Sequence, residues 1–315
     1  MAVTRSGLAG QIGFADEVTP GTAVTPTLFL PFVDEGIEGD RPRVESDAIQ
    51  AGRRVVTSNM WNGGNHSFAG PIGLELYDRG LVKLFKHMFG NVVTTGAGPY
   101  NHTVTPGDLD GKSLTVQVGR PGVAGTVHPF TYAGVKITEW EIAVSAGEIA
   151  TLGLDVIAMT ETTATALAAS TPVAGLKPVK FNHGAITIGG TAFKVKSATL
   201  KGSNGLDDDR RFIGTQTIDE PLEAELREYS GTLELEFVDL THHARFVAGS
   251  EHAMVLAFTI GAHSMTITTN IRYDGSNPTV GGKGILSQSL PFKCVATAAD
   301  ATAITVVIVD STITA

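Results

Sequence analysis

Apolar and polar residues alternate from Phe68 to Asp78, and the same alternation returns from Tyr229 to Asp239. With Gly70 set on Gly231, an offset of 161, Ile72 meets Leu233, Leu74 meets Leu235, Asp78 meets Asp239 and Phe85 meets Phe246. A period of two marks a strand with one buried face, so a strand is predicted over 68–77 and again at its counterpart. The Asp that ends each alternation is a good helix N-cap, and Gly90 and Gly249 are good helix stops. Between cap and stop, Leu81, Leu84, Phe85 and Met88 share one face, predicting a helix over 79–89. Leu240, Phe246 and Val247 predict a shorter one over 240–248. Each half therefore reads strand, cap, helix, stop, and the chain is a two-copy protein.

The remaining pattern extends the parallel. Apolar runs or alternation predict strands over 28–33, 113–119, 128–132, 135–144 and 149–158 in the first half. In the second half they fall at 253–261, 264–273, 285–298 and 303–311, after a hairpin around Gly189 and Gly190. Residues 1–27, rich in Gly, Thr and Pro, read as an extended arm over the surface, and 91–112 as a turn-rich loop. The stretch 160–175 lacks large apolar residues and reads as a linker. The expected organisation is an arm (1–27), a first domain (28–172) and a second domain (173–315). The fold class is mainly β: two tandem β-sandwich or barrel domains, each with one flanking helix. Both halves also carry a long charged loop ahead of the repeated strand, 34–54 and 202–216, each with an Arg pair. Long loops in compact domains are commonly functional.

Composition adds constraints rather than a site. The chain has 315 residues, 42% hydrophobic and 17% charged, with a net charge of −9. That balance disfavours a protein that grips phosphates, because nucleic-acid affinity rests on Lys and Arg. It suits a wall past which nucleic acid must slide, although from charge alone solubility is the better reading. Cys294 is the single cysteine, which excludes an internal disulfide, and its apolar setting predicts a buried small side chain. No stretch reaches the roughly 20 apolar residues of a membrane span, and no secretory leader pattern opens the chain, so folding in the cytoplasm is the expectation.

Candidate chemistry is sparse. His242 and His243 are adjacent, hence about 100° apart on a helix, and cannot chelate one ion as an i, i+4 pair can. Both, like His87, read as exposed helix residues. GDLDG at 107–111 lacks the acidic spacing of a calcium loop, and GGKG at 281–284 lacks the spacing of a phosphate loop. Asp207–Asp208–Asp209 could hold a cation, but Arg210 and Arg211 follow at once and can neutralise it. With no nucleophile elbow, paired-histidine zinc motif or dinucleotide fingerprint, no enzyme, metal or cofactor is expected.

Three stretches carry a family resemblance: GTAVTPTLFLPFVDEGIE (21–38), FKVKSATLKGSNGLDDDRRFIG (193–214), and YSGTLELEFVD (229–239) leading into a helix. They resemble the tail tube protein of long-tailed bacteriophages, of a duplicated type. The resemblance implies β-sandwich units that close six to a ring, rings that stack into a tube, a tape-measure protein and tail-end proteins as partners, and transient passage of phage DNA. It implies a virion location for a protein made in the host cytoplasm. With two units per chain, three chains would close a pseudohexameric ring; six chains with the second unit outside is the alternative geometry. Glu45, Asp47, Arg53 and Arg54 in the first loop, and Asp207, Asp208, Asp209, Arg210 and Arg211 in the second, are the candidate inter-ring or inter-subunit contacts; solvated loop tips are the alternative. The rival class is a monomeric two-domain binding module for a glycan or protein, although Trp61 and Trp140 are too scattered for an aromatic platform. A β-sandwich hydrolase ranks last.

Overall fold

The computed structural model describes residues 6–311 apart from 276, 279, 281, 282, 298, 300 and 301. It is mainly β, with two α-helices, α1 (Val82–Phe89) and α2 (Thr241–Ala248), and its strand ladders are antiparallel among the described residues. The repeated strands are Ser67–Glu75 and Glu228–Glu236. Alternation buries Phe68, Ile72 and Leu74 in one, and Tyr229, Leu233 and Leu235 in the other. The glycine shared by both has a packing cause. A Cβ on Gly70 would lie 2.0 Å from the Gly36 carbonyl oxygen, and one on Gly231 would lie 2.2 Å from that of Thr199. At both places the neighbouring strand leaves no room for a side chain. Gly90 and Gly249 end their helices in left-handed conformations, φ 98° and 59°. The expected Asp caps differ. Leu81 and Leu240 occupy the N-cap positions, and only Asp239 accepts a nearby backbone N–H, from Thr241.

Both copies use the same strand plan. In the first, Gln11–Asp16 lies between Leu28–Phe29 and Leu114–Pro121, which pairs with the start of Val127–Ser145. That 19-residue strand replaces the two strands expected over 128–132 and 135–144. Its second half pairs with Thr151–Ala158, which pairs with Ser67–Glu75; Asp34–Glu35 and Glu38–Asp40 then form the edge. In the second copy Gly184–Ile188, Glu251–Ile260, His263–Tyr273, Ser287–Val295, Glu228–Glu236 and Val195–Ser203 repeat that path. The expected surface arm is thus corrected over 11–16. Ile12, Phe14 and Ala15 are buried, and a strand paired on both sides satisfies its backbone better than an arm could.

The copies share one sheet. Glu139–Ser145 of the first pairs with Ser197–Ser203 of the second. Beneath this joint Trp140 packs against Phe89 and Tyr229, ring centroids 5.1 and 6.0 Å away. The 91–112 stretch, expected as a loop, is a hairpin of Gly90–Thr95 and Tyr100–Pro106 inserted after α1. Its second strand pairs with Ile304–Asp310, the last strand of the second copy, so edge pairing across the copies orders what turn residues alone suggest is irregular. Asp78 adds a clamp, accepting the Lys177 N–H at 2.9 Å and meeting His263 Nδ1 at 3.0 Å. One hydrophobic core runs through both copies.

Candidate functional site

The sheet formed across the joint has one face in the core and one in solvent. Along Glu228–Glu236 the buried residues alternate with Glu228, Ser230, Thr232, Glu234 and Glu236. Along the neighbours the outward residues include Asp34, Glu139, Glu141, Asp155 and Lys201. Of these, Asp34, Glu139, Glu141, Asp155, Lys201 and Glu228 line an open groove of about 600 Å³ that spans strands of both copies. Three lysines on this face are each matched: Lys201 to Glu141 at 2.7 Å, Lys196 to Glu236 at 3.2 Å and Lys293 to Glu228 at 3.9 Å. Asp34, Glu139, Asp155 and Glu234 have no ion-pair partner among the described residues. The face is therefore net acidic. Sequence reading missed these residues as a group, because four strands distant in sequence bring them together; the alternation within each strand was the available signal.

The second charged loop docks on residues 63–66, beyond the end of the first. The His66 N–H donates to the Gln216 carbonyl at 2.6 Å, Gln216 Nε2 to Gly63 O at 2.9 Å, and Arg211 Nη1 to His66 O at 2.9 Å. Arg211 also pairs with Asp209 at 2.5 Å, while Arg210 donates to the Glu220 carbonyl and lies 4.0 Å from Asp219. Asp207 accepts the Asp209 N–H at 3.0 Å. Four of the five second-loop candidates thus build the loop itself. Asp208 is exposed and outside any ion pair among the described residues, as are Glu45, Asp47, Arg53 and Arg54. Glu45 lies in a small hairpin, Arg43–Glu45 against Trp61–Gly63. Beside these charges the tips expose Ile49, Val55, Phe212 and Ile213. Apolar groups held in solvent by a loop indicate contact surface, a feature that charge-based reading passes over.

The structure thus joins two units edge to edge, with a net acidic face spanning the joint. The family model described as phage tail tube protein matches residues 7–294. The chain belongs to the phage tail tube protein family. It is a structural protein of the phage tail, and membership implies self-assembly into the tube. No curated protein matches the chain.

Several titratable side chains of the tail tube chain are engaged in packing. His87, expected on the polar side of α1, is buried because the Gln11–Asp16 strand lies against the helix; its Nε2 is 2.7 Å from Asp16 Oδ1. Burial holds its pKa below the ordinary value, against the opposing pull of Asp16. Burial alone would raise Asp16, but hydrogen bonds from His87 and Lys83, with the Lys83 charge, outweigh it and hold the carboxyl well below the usual range. His242 likewise departs from expectation. It is buried against Phe193 and Tyr273, with Nδ1 3.0 Å from the Tyr273 hydroxyl, because α2 turns this position onto the sheet; His243 is half-buried, its Nε2 2.9 Å from Asn277 Oδ1. Cys294 is half-buried and packs on the core, and burial pushes its thiol up to about 11. Asp108, Asp110 and Glu223 approach one another, but Glu223 accepts the Leu109 N–H and Asp108 the Asp110 N–H.

Proposed function

We propose that three chains close head to tail into a ring of six units, that the acidic face lines the lumen, and that such rings stack into the tail tube. The observation that carries this reading is the joint between copies. Two units already share one sheet edge to edge, so further units added in the same manner extend a single wall. Self-pairing of that kind disposes of open strand edges and, when the rotation closes, gives a ring. The sheet continuity favours three chains over six, since it sets the second unit beside the first in the wall rather than outside it.

In this reading Asp34, Glu139, Asp155 and Glu234 repel DNA phosphates and keep the conduit from holding its cargo. The lumen takes the tape-measure protein first and DNA afterwards, and tail-end proteins cap the assembly. The loops at 34–54 and 202–216, with Glu45, Asp47, Arg53, Arg54 and Asp208 outside any ion pair among the described residues, reach adjoining rings or subunits. Electron microscopy of the purified protein, with mass measurement of single rings, tests this. Stacked rings of three chains are the expected result. Six chains per ring would overturn the trimer, and a strictly monomeric species, even concentrated or seeded, would overturn the assembly in favour of a binding module.

A further inference from the structure

Two asparagines in the chain precede a glycine, Asn62 and Asn204. In such a pair the glycine amide nitrogen can reach the asparagine side-chain carbon through a five-membered ring, and no Cβ stands in its way. Folding treats the two sites in opposite ways.

Asn62 is exposed, in the small hairpin of Arg43–Glu45 and Trp61–Gly63. The Gly64 N–H donates to Pro42 O at 2.7 Å and the Ser46 N–H to Met60 O at 2.8 Å. Bonded pairs alternate along an antiparallel ladder, so the pair of Val44 and Asn62 is bonded and that of Arg43 and Gly63 is not. The Gly63 N–H is therefore turned out of the ladder. It donates instead to Asn62 Oδ1 at 2.8 Å, which holds the side chain over the following peptide bond. An open groove of about 380 Å³, lined by Val44, Asn62, Gly63, Asn65, Gly214 and Gln216, gives water access. Asn204 is placed differently. It is 0% exposed, its Nδ2 donates to Ile137 O at 2.8 Å and its N–H to Thr138 O at 2.9 Å. Gly205 is wedged at φ 57° against Glu225, whose carbonyl oxygen would lie 2.8 Å from a Cβ there.

We propose that Asn62 is a self-modifying site, at which the Gly63 nitrogen converts the side-chain amide to a carboxylate. The Gly63 amide gives its proton to solvent hydroxide, and its nitrogen attacks Asn62 Cγ. The N–Cγ bond forms, the Cγ–Nδ2 bond breaks, and Nδ2 takes a proton from water and leaves as ammonia. Water then opens the cyclic imide. Cleavage of N–Cγ yields aspartate, and cleavage of the bond to the main-chain carbonyl carbon yields isoaspartate, which lengthens the backbone by a methylene. Gly63 O accepts from Gln216 Nε2 at 2.9 Å and the His66 N–H donates to Gln216 O at 2.6 Å, so the second loop is docked on residues that the longer backbone displaces. Conversion of Asn62 thus loosens the loops assigned above to ring contacts; that last link rests on the assembly reading, and the modification does not.

The soluble full-length subunit is held at mildly alkaline pH, folded and in urea, and mapped by peptide mass spectrometry with isoaspartate methyltransferase labelling. In the folded subunit aspartate and isoaspartate are expected at position 62, forming faster as pH rises. Conversion at Asn204 is expected to be at least about a hundredfold slower, the cost of holding reacting atoms out of attack geometry. In urea the two sites are expected to convert alike. Folding that slows Asn62 as strongly as Asn204 would overturn the proposal. Amide exchange at His66 is expected to quicken in converted protein and to keep the parent rate in Asn62→Asp, which has the charge without the longer backbone. Unchanged exchange after conversion would overturn the loosening. Both readouts use the unassembled subunit, so a chain that never forms rings leaves them decisive.

Discussion

Gly202→Ala is a direct test of the joint between copies. Gly202 pairs with Trp140 across it, and a Cβ there would lie 2.3 Å from Trp140 Cε2, 2.4 Å from Cζ2 and 2.5 Å from Nε1. These are about 1 Å inside ordinary contact, and the indole is 2% exposed, boxed by Phe89 and Tyr229. The ring has nowhere to go without displacing the core. Overpacking of this kind costs about 1–3 kcal/mol, and the three sub-contact distances put this site at the upper end, about 3 kcal/mol. For a chain of this size that lowers the unfolding midpoint by roughly 4–5 °C. Thermal and urea unfolding of the soluble subunit measure it. Specificity comes from a double-mutant cycle: Trp140→Leu costs stability alone, yet Gly202→Ala in that background should cost less than about 1 kcal/mol. An undiminished cost of Gly202→Ala without the indole would refute the steric account. Two separate unfolding transitions in the parent chain would refute the shared core.

Other changes test other parts. Replacing Glu139 and Asp155 with Lys should leave tubes intact but let them retain short duplex DNA at low salt, released as salt rises; a pull-down against parent tubes reads this. Asp208→Asn should shorten tubes with little effect on subunit stability, whereas Asp209→Asn should also loosen the loop by freeing Arg211; unchanged tube lengths by microscopy would remove these residues from stacking. Acidification should destabilise the subunit in two steps. His87, held below its ordinary value, binds its proton more readily when unfolded, so stability falls as pH drops below about 6.5. Asp16, also depressed, contributes above the unfolded value near 4 and loses that contribution as pH falls further. His87→Gln should flatten the upper step in urea titrations across pH.

Much of this architecture was legible along the chain because it is local. Period-two alternation, a helical stripe and a closing glycine are written in neighbouring residues, and duplication made them visible twice, down to Gly70 and Gly231. Family resemblance was carried by one of these stretches, 229–239, together with 21–38 and 193–214. Strand pairing is not local, so the sequence could neither seat Gln11–Asp16 inside a sheet nor turn the 91–112 stretch into a hairpin closing on Ile304–Asp310. For the same reason His87 and His242 read as surface residues: helical position alone does not tell which element packs on that face. The acidic face follows the same rule, since alternation says that Glu139 and Glu234 point away from a core but not that they point the same way. Local pattern determined the elements and their repetition; the tertiary structure alone decided their partners, because edge pairing and charge clustering join residues whose proximity no neighbouring residue encodes.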